Sequence, residues 1–144
     1  MRLRSGPKES YFWRKHLQPY LAANGFINIR LAANGIGETD CMAYKHPWYF
    51  GIELKRIATD NPDTAFRQMQ GGMSKAQQLR VLRVVKTGAI HVIMAQGRKG
   101  WLYASATQKI GSTGLTRRDL SIHGDTVADA LRKFFKNFTY RGDL

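Results

Sequence analysis

The sequence predicts a mixed α/β (α+β) domain in which a mixed central sheet is flanked by helices. Three observations lead there. Apolar residues recur at helical spacing in three segments, at Trp13 to Leu21, within Ser74 to Lys86, and at Val127 to Phe135. Short alternating or apolar runs bounded by glycine and proline stand between those segments and read as strands. A chain of 144 residues with 43% hydrophobic residues is long enough for one core and is expected to form a single domain over its whole length. The predicted order is helix, three strands, helix, two strands and a closing helix.

Pro7 suits the first turn of the opening helix, which Trp13, Leu17, Tyr20 and Leu21 continue to a stop at Asn24-Gly25. Pro19 removes a backbone donor inside it and predicts a kink or a split. Glu9, four residues before Trp13, falls on or near the apolar face, and proximity to the positive helix terminus accounts for a carboxylate there. Phe26 to Leu31 alternates as the first strand, followed by a turn at Asn34-Gly35-Ile36-Gly37 and an exposed Glu38. The next two strands, Asp40 to Tyr44 and Trp48 to Lys55, are joined at Lys45-His46-Pro47 as an antiparallel hairpin, with Pro47 kept out of the ladder.

Strand alternation puts Glu53 and Lys55 on one face of the third strand and Phe50, Ile52 and Leu54 on the other. The hairpin brings Asp40 level with Glu53. Two carboxylates held close repel, so they call for protonation or a divalent cation. Mg²⁺ suits them best, because it takes oxygen ligands from one or two carboxylates together with substrate phosphate and water. Lys55 then faces the phosphate or an attacking water. Cys41 is the one cysteine of the chain and is read as packing beside Asp40.

Residues 56 to 73 form a long connection with a short helix from Thr64 to Gln70, closed by Gly71-Gly72. Arg56, Arg67, Gln68 and Gln70 there serve equally well as solvated residues or as DNA contacts. Ser74 starts a helix to Lys86, with Gly88 beyond its end, Leu79, Leu82 and Val85 as the core stripe, and Lys75, Arg80, Arg83 and Lys86 open to phosphates. Ser74 and Gln77 fit a capping box, which explains their spacing without any catalytic role. Ala89 to Ala95 and Trp101 to Ser105 read as strands around a turn that carries Arg98 and Lys99. Thr107 to Gly124 shows no periodicity. Asp125-Thr126 caps a last helix, with Val127, Ala130, Leu131, Phe134 and Phe135 inward and Arg132, Lys133 and Lys136 outward.

Twenty-three Lys and Arg against ten Asp and Glu give a net charge of +13, which favours nucleic acid or another anionic surface as partner. Four of the ten acids, Glu9, Glu38, Asp40 and Glu53, fall in or beside the candidate site, where pure phosphate binding has no use for them. No phosphate-binding G-x-x-x-x-G-K-[ST] loop, G-x-S-x-G elbow or zinc-spaced Cys/His array occurs. His16, His46, His91 and His123 are scattered and read as packed or solvated. No apolar run reaches a membrane span and Met1 to Lys8 lacks the apolar centre of a signal peptide, so the expected location is cytoplasmic, without a membrane partner.

Asp40 followed by Glu53-Leu54-Lys55 resembles the core of the PD-(D/E)xK nuclease superfamily. With Glu9 in the first helix, Gly37-Glu38-Thr39-Asp40 at the strand start and Ser74-Lys75-Ala76-Gln77 opening a helix, residues 9 to 105 resemble the virus-type replication-repair nuclease (VRR-NUC) domain in its stand-alone, phage-like form. Thr39 stands where the commoner form has proline, and residues 106 to 144 form a C-terminal extension with no family motif. The resemblance implies a restriction-endonuclease-like fold. It also implies a metal-dependent DNA endonuclease in which Asp40, Glu53 and the Leu54 carbonyl hold Mg²⁺ or Mn²⁺, with Glu9 as an accessory ligand. Lys55 orients water, and Gln77 faces the carboxylates in addition to its capping role. Arg56, Arg80, Arg83, Lys86, Arg98 and Lys99 are the candidate DNA contacts.

The substrate expected from this resemblance is branched DNA, with the four-way Holliday junction foremost, cut by a homodimer in the cytoplasm of a bacterial or phage-infected cell. Two alternatives stand beside it. One is a non-catalytic basic nucleic-acid-binding module, with Trp13, Trp48, Tyr49 and Trp101 as stacking surfaces if they do not fill the core. The other is a monomeric flap or nicking nuclease, favoured if the outer surface of the last helix is polar throughout.

Overall fold

The computed structural model describes residues 8–30, 41–57, 59–98, 100–109 and 114–139. Among the described residues one mixed sheet runs in the order β1 (Ile27–Arg30), β2 (Cys41–Lys45), β3 (Trp48–Lys55), β4 (Ile90–Gln96), β5 (Trp101–Lys109) and β6 (Leu115–His123). Neighbours are antiparallel except β3 and β4, which are parallel. A parallel pair needs a crossover, and α3 (Pro62–Gly71) with α4 (Lys75–Lys86) supplies it on one face of the sheet. The other face is covered by α1 (Glu9–Phe12), α2 (Gln18–Ala23) and α5 (Val127–Thr139). The fold class is the mixed sheet flanked by helices that the sequence predicts.

Burial follows strand alternation. Phe50, Ile52 and Leu54 of β3 pack with Phe12, Leu17, Leu21, Phe134 and Phe138 in the larger core, which Cys41 joins at 0% exposure. Ile93, Ala95 and Tyr103 pack on the opposite face against Ala65 and Met69 of α3 and Val81 of α4. The two-residue connection His46-Pro47 joins β2 to β3 through a cis peptide, and Pro47 stays outside the ladder as expected. The opening helix runs through Pro19 from Glu9 to Ala23 but is divided just upstream of it into α1, a π-helical stretch and α2. A proline has no N–H for the Lys15 carbonyl, and the chain widens just upstream into a π-helical turn, Trp13–Leu17, where Gln18 N–H bonds the Trp13 carbonyl.

Three expectations need correction. The short helix expected over Thr64 to Gln70 is longer, because Asn61 caps it through Thr64 N at 3.0 Å and Pro62 fits its first turn. The aperiodic segment Thr107 to Gly124 contains the end of β5 and all of β6, and β6 with α5 packs into the same sheet and core. On α4 the inward residues are Val81, Val84 and Val85, whereas Leu79 and Leu82 are 53% and 44% exposed. Gln77, Val81 and Val84 share one helix face at spacings of four and three, so once Gln77 turns toward the sheet, Leu79 and Leu82 cannot.

Because α3 and α4 lie over β4 and β5, the same face of β1 and β2 carries Ile27, Ile29 and Met42 in the open, with Tyr49 of β3 beside them. His91 sits next to Gly51 on that face but is buried, and its Nδ1 makes no protein hydrogen bond. Burial, and secondarily the Arg80 charge, hold its imidazole down at about 4. The unfolded chain therefore binds this proton at a higher pH than the folded one, so stability present above pH 6.5 is lost as pH falls toward 4. The expected loss is about 3 kcal/mol across that window. Denaturant titrations at pH 7 and pH 4 on wild type and His91→Leu measure it. Equal losses in the two proteins would remove His91 as the cause.

Candidate active site

Glu53 and Lys55 lie on the central strand β3 and face α3 and α4, opposite the side that buries Ile52 and Leu54. Glu53 is 3% exposed, and a buried carboxylate without partners costs several kcal/mol. Its partners come from the crossover. Gln77 Nε2 donates to Glu53 Oε1 at 2.7 Å, and Lys55 Nζ stands 3.9 Å from the same oxygen, an electrostatic rather than hydrogen-bonded distance.

Lys55 is in turn fixed by two acceptors, the Gly72 carbonyl at 2.9 Å and Gln77 Oε1 at 3.3 Å. An ammonium has three N–H donors, so one remains for the Glu53 carboxylate or a ligand oxygen. Gln77 Oε1 also accepts from Ser74 N at 2.8 Å while Ser74 Oγ accepts from Gln77 N at 3.1 Å. The capping box and the contact with Glu53 are thus one side chain's work, its oxygen closing the helix and its nitrogen holding the carboxylate. Gly72 is the partner that sequence reasoning missed. A backbone carbonyl leaves no side-chain signal, and the Gly71-Gly72 pair marks only the helix end where it is exposed.

Asp40, the carboxylate assigned beside Glu53, lies outside the described residues, as do Glu38 and Lys99. The described ladder between β2 and β3 ends at Cys41 opposite Ile52, the sequence neighbours of Asp40 and Glu53. Leu54 is buried on the other face of β3, with its backbone in the β3–β4 ladder. Glu9 is half-buried in the first turn of α1. Arg56, Arg83, Lys86 and Arg98 are exposed, the last 3.8 Å from Asp60. Arg80 is half-buried and its charge acts on His91. Trp13, Trp48 and Trp101 pack against the cores, while Tyr49 is exposed and stacks on Tyr44.

Among the described residues no group of three or more His, Cys, Asp or Glu side chains gathers to hold a metal ion. What Glu53 offers is a buried carboxylate oxygen, a ligand type that hard divalent cations accept. No described helix is long and apolar enough to cross a membrane. No protein-family model and no curated protein matches the sequence. Among solved structures, the chain is similar to Hjc, a Holliday junction resolvase of Archaeoglobus fulgidus, at 18% identity and a TM-score of 0.49, over 85% of this chain and 96% of that one.

Proposed function

We propose that this chain is a divalent-metal-dependent DNA endonuclease of the PD-(D/E)xK kind, with the VRR-NUC domain as the family it resembles, acting on branched DNA. One observation carries the reading. In a chain of net charge +13, a buried glutamate and a lysine two residues on share one strand face, and the lysine is held in place by Gln77 and Gly72. A fold has no structural need to bury that pair, and an apolar pair would cost less. The reading rests on these side chains rather than on the resolvase likeness.

Glu53, Asp40 and the Leu54 carbonyl are the residues that would hold Mg²⁺ or Mn²⁺, with Glu9 as accessory. The ion, when bound, supplies Lewis-acid activation of the phosphate and of water. The chain's own groups do the rest. Lys55 directs its remaining N–H toward the phosphate oxygen or the attacking water and offsets charge that grows in the transition state. Gln77 keeps the Glu53 carboxylate and the Lys55 ammonium in register. Arg56, Arg80, Arg83, Lys86, Arg98 and Lys99 would supply sequence-independent phosphate contacts.

The oligomeric state has two readings, each with its own observation. A homodimer making paired cuts fits a small domain without a separate sequence-reading module, and the open apolar residues Ile27, Ile29, Met42 and Tyr49 offer a seam. A monomeric flap or nicking nuclease draws on α5, whose exposed residues among the described side chains are Ala128, Arg132, Lys133 and Lys136, three of them charged, though Ala128 keeps the surface from being polar throughout. Linear duplex, flap and four-way junction DNA, incubated with the full chain in Mg²⁺, Mn²⁺ or EDTA, test both. Symmetric paired nicks in a junction with either ion are the expected result. A single unpaired nick establishes the monomeric reading, and no cutting of any substrate leaves a non-catalytic binding module.

A further inference from the structure

The sheet face that carries Glu53 continues across the molecule. Glu53 stands beside Ile93, Ile93 beside Ser105, and Ser105 beside Asp119 at the far edge. Between that edge and α3 lies a pocket of about 510 Å³ lined by Asp63, Phe66, Arg67, Gln70, Arg117 and Asp119. Its floor is a fixed polar chain: Gln70 Nε2 donates to Ser105 Oγ at 2.9 Å, and Ser105 Oγ donates to Asp119 Oδ1 at 2.6 Å. Arg117 lies 3.3 Å from the other Asp119 oxygen, and Ser105 is 1% exposed, so the chain is anchored in the core.

The composition of this pocket differs from a phosphate track. Two of the chain's ten acidic residues line it together with two arginines. Carboxylates repel phosphate, but they accept hydrogen bonds from the amino and imino groups of a nucleobase. Guanidinium groups match phosphate oxygens in a two-pronged geometry. Phe66, half-buried and set edge-on to Tyr103 at 6.0 Å, adds an aromatic surface on which a base can stack. The volume falls within the roughly 300–1,000 Å³ of small-ligand sites. Three strand spacings of about 4.8 Å put Asp119 about 14 Å from Glu53.

We propose that this pocket holds one unpaired nucleotide of the DNA strand that Glu53 and Lys55 act on. Its base meets Asp119, Asp63 and Phe66, and its phosphate meets Arg67 and Arg117. The proposal rests on the nuclease reading of Glu53 and Lys55 and adds to it the reason for choosing branched over continuous DNA. A flap or a splayed arm offers an unpaired nucleotide near the cut, whereas an intact duplex offers none.

The test is fluorescence anisotropy in EDTA with full-length protein and two DNAs, a fully paired duplex and the same duplex with a short single-stranded arm. A third DNA has the arm's nucleotides made abasic. Wild type is expected to bind the armed duplex about tenfold tighter than the paired one, and to lose that margin on the abasic arm. Asp119→Asn and Asp63→Asn make opposite predictions under the two accounts. By charge alone each substitution tightens binding to every DNA. By the proposal, each weakens binding to the armed duplex and leaves the paired duplex as tight or tighter. Matching gains on both DNAs, or an arm preference that survives in the variants, overturns the pocket. Since no cleavage is needed, a chain that cuts nothing but keeps the preference loses the nuclease reading alone, and one that cuts without the preference loses the pocket alone.

Discussion

Glu53→Gln is expected to bring DNA cleavage to background while leaving affinity for DNA within about twofold, since the exposed basic residues supply most of the non-specific binding. The substitution keeps the shape of the side chain and an oxygen for Gln77 Nε2, so the 2.7 Å contact has a replacement. What it removes is the charge. Lys55→Met is expected to lower the cleavage rate by roughly 10²–10³-fold through loss of a positioned donor. It carries a second effect. The Lys55 and Glu53 side chains are 16% and 4% exposed, and removing one partner of such a pair destabilises by roughly 3–5 kcal/mol. Cleavage rates normalised to folded fraction separate the two. Full activity in Glu53→Gln would remove this carboxylate from the chemistry, whatever the fate of the other residues.

Phe50→Ala is expected to cost about 3–5 kcal/mol of stability, the range for deleting a buried aromatic ring. Phe50 is 1% exposed, and its ring meets those of Phe26, Phe135 and Phe138 at centroid distances of 6.3, 5.3 and 5.6 Å. It therefore ties β3 to the segment before β1 and to α5, elements far apart in sequence. Total stabilities of domains are about 5–15 kcal/mol, so a sizeable share rests on this ring. Urea denaturation gives the value, and a loss below about 1 kcal/mol would mean that the aromatic cluster repacks around the gap.

The parts of this fold that could be read from sequence are those where one physical rule acts alone. Strand β3 is an apolar run with two charges at alternate positions, and alternation by itself assigns Glu53 and Lys55 to one face. The start of α4 is a Ser and a Gln at capping-box spacing, and the cap is there. Where rules compete, the sequence misleads. Leu79, Leu82 and Val85 read as the core stripe of α4, yet the face turned inward is that of Gln77, Val81, Val84 and Val85, with Gln77 reaching Glu53, a tertiary contact that helical periodicity cannot contain. Strand β6 pairs on one side, so its half-buried positions Thr116, Arg118, Leu120 and Ile122 tolerate polar residues and blur the alternation. The Gly72 carbonyl that fixes Lys55 belongs to the backbone, and composition does not record it.

Gln77 joins two things usually kept apart, the first turn of a helix and the held charges of the candidate site. One amide group closes the cap at Ser74 and spans Lys55 and Glu53. Whatever draws Glu53 toward a ligand alters the fraying of α4, and by thermodynamic reciprocity whatever loosens that first turn alters what Glu53 can hold. The amide protons of Ser74 and Gln77 are therefore a gauge of occupancy built into the backbone, readable as exchange rates without any label on the substrate. A capping interaction ordinarily worth about 1 kcal/mol of local stability here also sets how rigidly the charges are presented.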